Sequence, residues 1–303
     1  MSRVHEALRR VEAGIPAHPE PPPAPDALEP ESAPHEKAIP AHNGGPLNGT
    51  KATAAVAARM ALHREMLPAA KVLAYQPAPE SHLLDLENSL ETPAEEFRTL
   101  RTRLNHLQTL QPLHTVVVTS PSPAEGKTFT AVNLAIAQAQ LAERSVLMGD
   151  FDLRRPVVHN LFQIDRAPGL TDYLQGECEF SDALRRIDGL NLYVLPAGTA
   201  VKNPLEILNT RQAKLLFEEL PRIFDWAIFD TPPLLFSADA NLLATLADGT
   251  ILVVKIGSTT FDNVTRAMQS LCENNVLGIV ANGARASELY SKYTYYYSKA
   301  EAE

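Results

Sequence analysis

The stretch VVVTSPSPAEGKTFTAVNLA, residues 116–135, decides how this chain is read. Val116 to Thr119 is apolar and β-branched, as a buried strand requires. Gly126-Lys127-Thr128 then opens an apolar run that suits a helix. Strand, loop and helix with that tripeptide at the turn make the second half of a phosphate-binding P-loop, in which helix N-terminal amides face phosphate. The first half is unusual. Against the pattern G-x-x-x-x-G-K-[ST], Pro121 stands at the first glycine position and Ala124 stands before Glu125. The fixed φ of proline need not forbid a phosphate-wrapping loop. Alanine objects only if its φ must be positive. In such a loop Lys127 reaches the β and γ phosphates of ATP and the Thr128 hydroxyl binds Mg²⁺. Glu125, Gly126 and Phe129 complete the expected nucleotide-binding set.

Two further strings place acids beside this loop. SVLMGDFDLRRP (145–156) puts Asp150 and Asp152 just past a short apolar strand. Carboxylates at the C-terminal end of a parallel strand face the ligand crevice, and alternate residues of an extended stretch share a side. DWAIFDTPP (225–233) puts Asp230 at a third strand end, where a second metal-holding acid belongs. Asp225 is expected at that strand's entrance, in a structural role. Thr128, Asp150, Asp152 and Asp230 are the expected Mg²⁺ ligands. Gly149 interrupts the apolar run before Asp150, which weakens the strand and allows close approach of a neighbour.

From this centre the pattern extends outward as strand alternating with helix. Strands are expected at 115–119, 145–149, 191–195, 226–229, 250–256 and 276–281. Helices are expected at 128–142, 170–175, 179–186, 204–220, 237–246 and 260–273. ETPAEEFRTLRTRLNHLQ (91–108) reads as a further helix, with Thr92 as N-cap, Pro93 at its first position and Glu95 closing a capping box. The fold class is therefore α/β, a doubly wound and mainly parallel sheet. Residues 83–285 form the expected catalytic domain and 286–303 a flexible tail. Residues 14–82 read as a Pro/Ala-rich linker, mostly disordered, since ten of the 24 prolines fall within 14–50. Within it, 51–66 favour helix by composition. Residues 1–13 contain Val4, Ala7, Leu8 and Val11 at helical spacing, which fits either a docking helix or a fraying surface turn.

Composition bounds the partners. The net charge is −9, which argues against nucleic acid as the main partner. The two cysteines lie far apart without metal-ligand neighbours, so a reduced, cytoplasmic setting is expected. No apolar run approaches a bilayer span, and MSRVHEALRR lacks the apolar core of a signal peptide.

The strings EEFRTLRTRL, SPSPAEGKTFTAVNLA, VLMGDFDLRRP, GLTDYLQGE, LYVLPAG, NPLEILNT and FDWAIFDTPP, in this order, resemble the bacterial tyrosine kinases of capsular and exopolysaccharide systems. These are deviant P-loop ATPases, related to the partition and septum-site ATPases. The resemblance implies that Lys127 and Thr128 are the Walker A pair, Asp150 and Asp152 the Walker A′ acids and Asp230 the Walker B acid. Catalysis is then assigned to Lys127, Asp150 and Asp152. Asp150 is the preferred base and Asp152 organises Mg²⁺, with the opposite assignment open. Arg154 and Arg155 are placed to hold phosphate or a partner's tail. Asn282 matches a base-contacting asparagine, or is a strand-end turn residue. Glu95, Arg98 and Arg101 match an E-x-x-R-x-x-R motif that packs between subunits of a ring. Without the resemblance they read equally as a solvated face with internal ion pairs.

The tail ELYSKYTYYYSKAEAE holds Tyr290, Tyr293, Tyr295, Tyr296 and Tyr297, while the rest of the chain has three tyrosines. Aromatic residues are scarce in polar tails. The resemblance implies that these are the phosphoacceptors, modified between subunits of a homo-oligomer. It also implies a separate transmembrane activator that recruits the protein to the inner face of the plasma membrane and links it to exopolysaccharide export.

Overall fold

The computed structural model describes residues 64–77, 81–84, 94–271 and 276–284, all within the compact unit Gly49–Glu303. The expected docking helix, most of the linker, the cap residues Thr92 and Pro93, and the tyrosine-rich tail lie outside the described residues. A 3-10 turn, Arg64–Ala69, leads into β1 (Lys71–Leu73). The remaining elements are α1 (Ala94–Leu110), β2 (Thr115–Thr119), α2 (Lys127–Ala139), β3 (Val146–Asp150), α3 (Val158–Leu161), α4 (Leu170–Gln175), α5 (Phe180–Ala183), β4 (Arg185–Ile187), β5 (Leu192–Leu195), α6 (Pro204–Leu208), α7 (Arg211–Ile223), β6 (Trp226–Asp230), α8 (Ala238–Leu246), β7 (Gly249–Lys255), α9 (Phe261–Ser270) and β8 (Val276–Asn282).

Eight strands form one sheet in the order β1-β4-β5-β3-β6-β2-β7-β8. The six from β5 to β8 run parallel. β4 runs against β5, and β1 pairs parallel with β4. The period of two along each central strand divides the core. Val116, Val118, Val146, Met148, Trp226 and Ile228 pack on one face, against Phe97 and Leu104 of α1 and the buried side of α2. Val117, Leu147, Ala227 and Phe229 pack on the other, against Leu170, Tyr173, Phe217 and Leu243. Helices on both faces of a mostly parallel sheet are the doubly wound arrangement expected from the alternation.

The differences are local. The helix expected at 179–186 stops at Ala183, and Arg185–Ile187 becomes strand β4. The helix expected at 204–220 is two helices, broken at Asn209, with Thr210 capping the second through its hydroxyl. β1 lies inside the range expected to be linker. The preceding turn is docked, because Arg64 donates to the Ile223 carbonyl (3.0 Å) and pairs with Asp225 (3.2 Å). Among the described residues no helix is long and apolar enough to cross a membrane.

Candidate active site

Three neighbouring strands, β3, β6 and β2, end together and set the acids beside α2. Asp150 and Asp230 are register partners across β3 and β6, and Val118 of β2 is the partner of Asp230. A Cβ on Gly149 would come within 2.8 Å of the Phe151 ring, so only glycine leaves that ring room. Phe151 packs on Phe229 with ring centroids 4.6 Å apart. Anchored in the core, it fixes Asp150 and Asp152 on either side of it. The close approach expected at Gly149 is thus made by the chain's own aromatic ring.

Lys127 is the hub. Its Nζ lies 2.9 Å from Asp152 Oδ2 and 3.4 Å from Asp230 Oδ1. The Thr128 hydroxyl donates to Asp230 Oδ2 at 2.6 Å. Burial opposes the lysine charge, but Asp230 and Asp152 outweigh it and hold the ammonium above its ordinary pKa. Burial pushes the Asp230 carboxyl up to about 6, against the pull of Lys127 and Thr128. Asp150 is fully buried, and that burial, reinforced by Asp230, holds its pKa well above the usual carboxylate range. Its Oδ2 accepts the Val157 and Val158 amides at 3.1 and 3.0 Å. Its Oδ1 is buried without a hydrogen-bond partner.

The loop before α2 is shaped by two left-handed residues, Ala124 (φ 61°) and Gly126 (φ 97°). Alanine therefore occupies a conformation that favours glycine. Gly126 is the N-cap of α2 and provides no side-chain cap, which leaves first-turn amides for an anion. These observations fit Mg-ATP: an uncapped helix start, an ammonium held by carboxylates, and an orphan carboxylate oxygen. Among the described residues no three His, Cys, Asp or Glu side chains group closely enough to hold an ion alone. An Mg²⁺ ion at this site would need further ligands from Thr128, water and phosphate, as is usual for this ion.

Some expected residues act differently. Glu125 turns its side chain into the protein, accepting from the Ser122 amide (2.8 Å) and the Thr259 hydroxyl (2.6 Å). Phe129, in the first turn of α2, packs edge-on against Phe97 of α1 at 5.8 Å, so its ring ties two helices together. Asn282 donates from Nδ2 to the Glu125 carbonyl at 2.9 Å, gripping the loop. Arg154 is held by Asp239 at 2.7 Å and by Ser237. Asp152 Oδ1 accepts the Arg155 amide at 3.0 Å. Glu95 and Arg98 form an intrahelical pair at 3.1 Å, while Arg101 donates to the Ala137 carbonyl near the end of α2 (2.7 Å). Asp225 binds Ser145 and Arg64 at the strand entrance, in the structural role expected. Thr259 was not foreseen, since its sequence surroundings contain no motif.

The AAA domain family model matches residues 116–274. Over 208 residues the chain is 37% identical to the tyrosine-protein kinase YwqD of Bacillus subtilis, covering 68% of this chain and 87% of that protein. It is 32% identical over 212 residues to the tyrosine-protein kinase etk of Escherichia coli, covering 69% of this chain but 29% of that protein. The kinase domain of the Escherichia coli tyrosine kinase ETK superposes with a TM-score of 0.62 at 32% identity, covering 67% of this chain and 80% of that one. The chimerical protein CapA2B2 gives 0.63 at 27% identity, covering 72% and 96%.

Proposed function

The chain belongs to the bacterial tyrosine-kinase family of P-loop ATPases and has kinase-type activity, and from that premise we propose that it transfers the γ-phosphoryl group of ATP to tyrosines of its own C-terminal tail. The observation that carries the proposal is the convergence of Lys127, Thr128, Asp152 and Asp230 at an uncapped helix start, with the free Asp150 Oδ1 beside them.

Thr128, Asp152 and Asp230 would hold Mg²⁺, which when bound would offset phosphate charge. Lys127 supplies fixed positive charge at the α2 N-terminus, where the backbone amides add theirs. Asp150 takes the acceptor's proton at Oδ1. A tyrosine hydroxyl has a pKa near 10, so a buried carboxylate of raised proton affinity is suited to receive it at neutral pH. As the proton moves, the tyrosine oxygen forms the new O–P bond and the β–γ bridge breaks, leaving ADP. Asp152 keeps Lys127 in place. The acceptors are Tyr290, Tyr293, Tyr295, Tyr296 and Tyr297 of a neighbouring subunit, with the Glu95–Arg101 face of α1 contributing to assembly. The protein acts in the cytoplasm beside a transmembrane activator and regulates exopolysaccharide export.

The test is labelling with Mg-ATP of wild type, Lys127→Met and a chain truncated after Ala286, followed by mapping of the modified residues. Label on the tail that is lost in Lys127→Met supports the proposal. ATP hydrolysis with no label on protein, with the activator present, refutes it.

A further inference from the structure

We propose that Thr259, 134 residues from the loop it serves, is a positioning residue for nucleotide binding that acts through Glu125. The proposal rests on the P-loop reading above. A carboxylate is an awkward side chain beside a phosphate site, because like charges repel. Glu125 nevertheless sits in the loop between its two left-handed residues and is 3% exposed. Its charge is secured on both oxygens. Oε2 accepts the Ser122 amide at 2.8 Å, and Oε1 accepts the Thr259 hydroxyl at 2.6 Å.

The direction of that second bond is fixed by the fold. Thr259 Oγ1 already accepts the Lys255 amide at 2.8 Å, where β7 ends, so its single proton is left for Glu125. The Thr259 amide returns to the Lys255 carbonyl at 2.9 Å, closing a turn that holds the hydroxyl still. From β8, Asn282 Nδ2 grips the Glu125 carbonyl. The side chain and the carbonyl of one loop residue are therefore held from the ends of two adjacent strands. Together the two grips fix the peptide leading into Gly126 and the amides that open α2. Without the Thr259 hydroxyl, one oxygen of a buried carboxylate loses its partner. The relief open to Glu125 is rotation toward water, which releases the peptide it belongs to.

The experiment measures Mg-ATP affinity by calorimetry on the full chain, together with melting in the absence of nucleotide. Thr259→Val keeps the shape and removes the hydroxyl. It is expected to weaken ATP binding by about ten- to hundredfold, the span of a hydrogen bond to a charged group. Thr259→Ser restores the hydroxyl and the affinity. Glu125→Ala loses affinity too, and Thr259→Val added to it causes no further loss, because the threonine acts through the glutamate. Wild-type affinity in Thr259→Val, no recovery in Thr259→Ser, or full additivity in the double variant overturns the proposal. Lys127→Met separates the two levels of inference. Unchanged ATP binding in that variant refutes the P-loop reading itself, whereas its loss beside a normal Thr259→Val refutes only the latch.

Discussion

Replacing Gly126 by alanine tests the loop geometry with two separable costs. The residue has φ 97°, and an added Cβ would lie 1.9 Å from Asn282 Nδ2. The backbone part costs about 1–2 kcal/mol, the penalty of a left-handed L-residue. The steric part has a cheap escape, because the obstructing atom ends a side chain that can swing away. Swinging away breaks the bond from Asn282 to the Glu125 carbonyl, worth about 1 kcal/mol. Gly126→Ala should therefore destabilise by about 2–3 kcal/mol in urea unfolding, and Asn282→Ala alone by about 1 kcal/mol. In the Asn282→Ala background the glycine replacement should cost only its backbone part, leaving a coupling of about 1 kcal/mol between the two sites. Strict additivity would show that the contact is absent. A Gly126→Ala protein as stable as wild type would show that the left-handed geometry is wrong as well.

Ala124→Gly relieves the other left-handed residue, gaining about 1–2 kcal/mol, offset by about 0.5–1 kcal/mol of added chain entropy. It should be stabilising by about 0.5–1 kcal/mol in the same unfolding assay. Arg154→Ala strips the fully buried Asp239 of its ion pair and should cost about 1.5–3 kcal/mol, read by urea unfolding, with Asp239→Asn recovering part of that loss in the double variant. Burial works against the charge of Asp225, but the Ser145 amide and hydroxyl and the Arg64 guanidinium outweigh it and hold its carboxyl below the ordinary value. Its stabilising effect is therefore present above pH ~3.9 and is lost as the pH falls through the depressed folded-state value. The stability gap between wild type and Asp225→Asn should accordingly close in acid, as followed by thermal melts across pH.

The fold was legible wherever strands were long enough to show their apolar run. β2, β3 and β6 appear in the sequence as VVV, VLM and WAIF, the first leading into the phosphate loop and the other two ending at Asp150 and Asp230. β1 and β4 are three residues each, and Arg185–Ile187 follows a helical stretch without any turn residue, so no period separates strand from helix there. At the site, the residue types were legible and their contacts were not. Lys127, Asp152 and Asp230 stand in recognisable strings and meet in space. The Glu125–Thr259 and Asn282–Glu125 bonds join residues 134 and 157 positions apart, and hydrogen bonds of that kind leave no mark on local pattern. Arg154 shows the same limit. Its place after the acids suggested phosphate or a partner's tail, and nothing in the string announced its pairing with the buried Asp239 of α8.

β8 ends at Asn282, the residue whose amide grips the phosphate loop, and the proposed acceptors follow on the same chain. Tyr290 is eight residues beyond Asn282 and Tyr297 is fifteen. A fully extended chain covers at most about 3.6 Å per residue, which confines the Cα atoms of these two tyrosines to radii of about 29 Å and about 54 Å around that of Asn282. In the proposed reaction the acceptors are therefore tethered at the edge of the crevice. On this proposal, a crevice on a subunit packed within that radius would meet tyrosine at an effective concentration on the order of millimolar. Within an assembled oligomer the spacing between subunits would then set the pace of the proposed reaction, and dilution would act on it by taking the assembly apart.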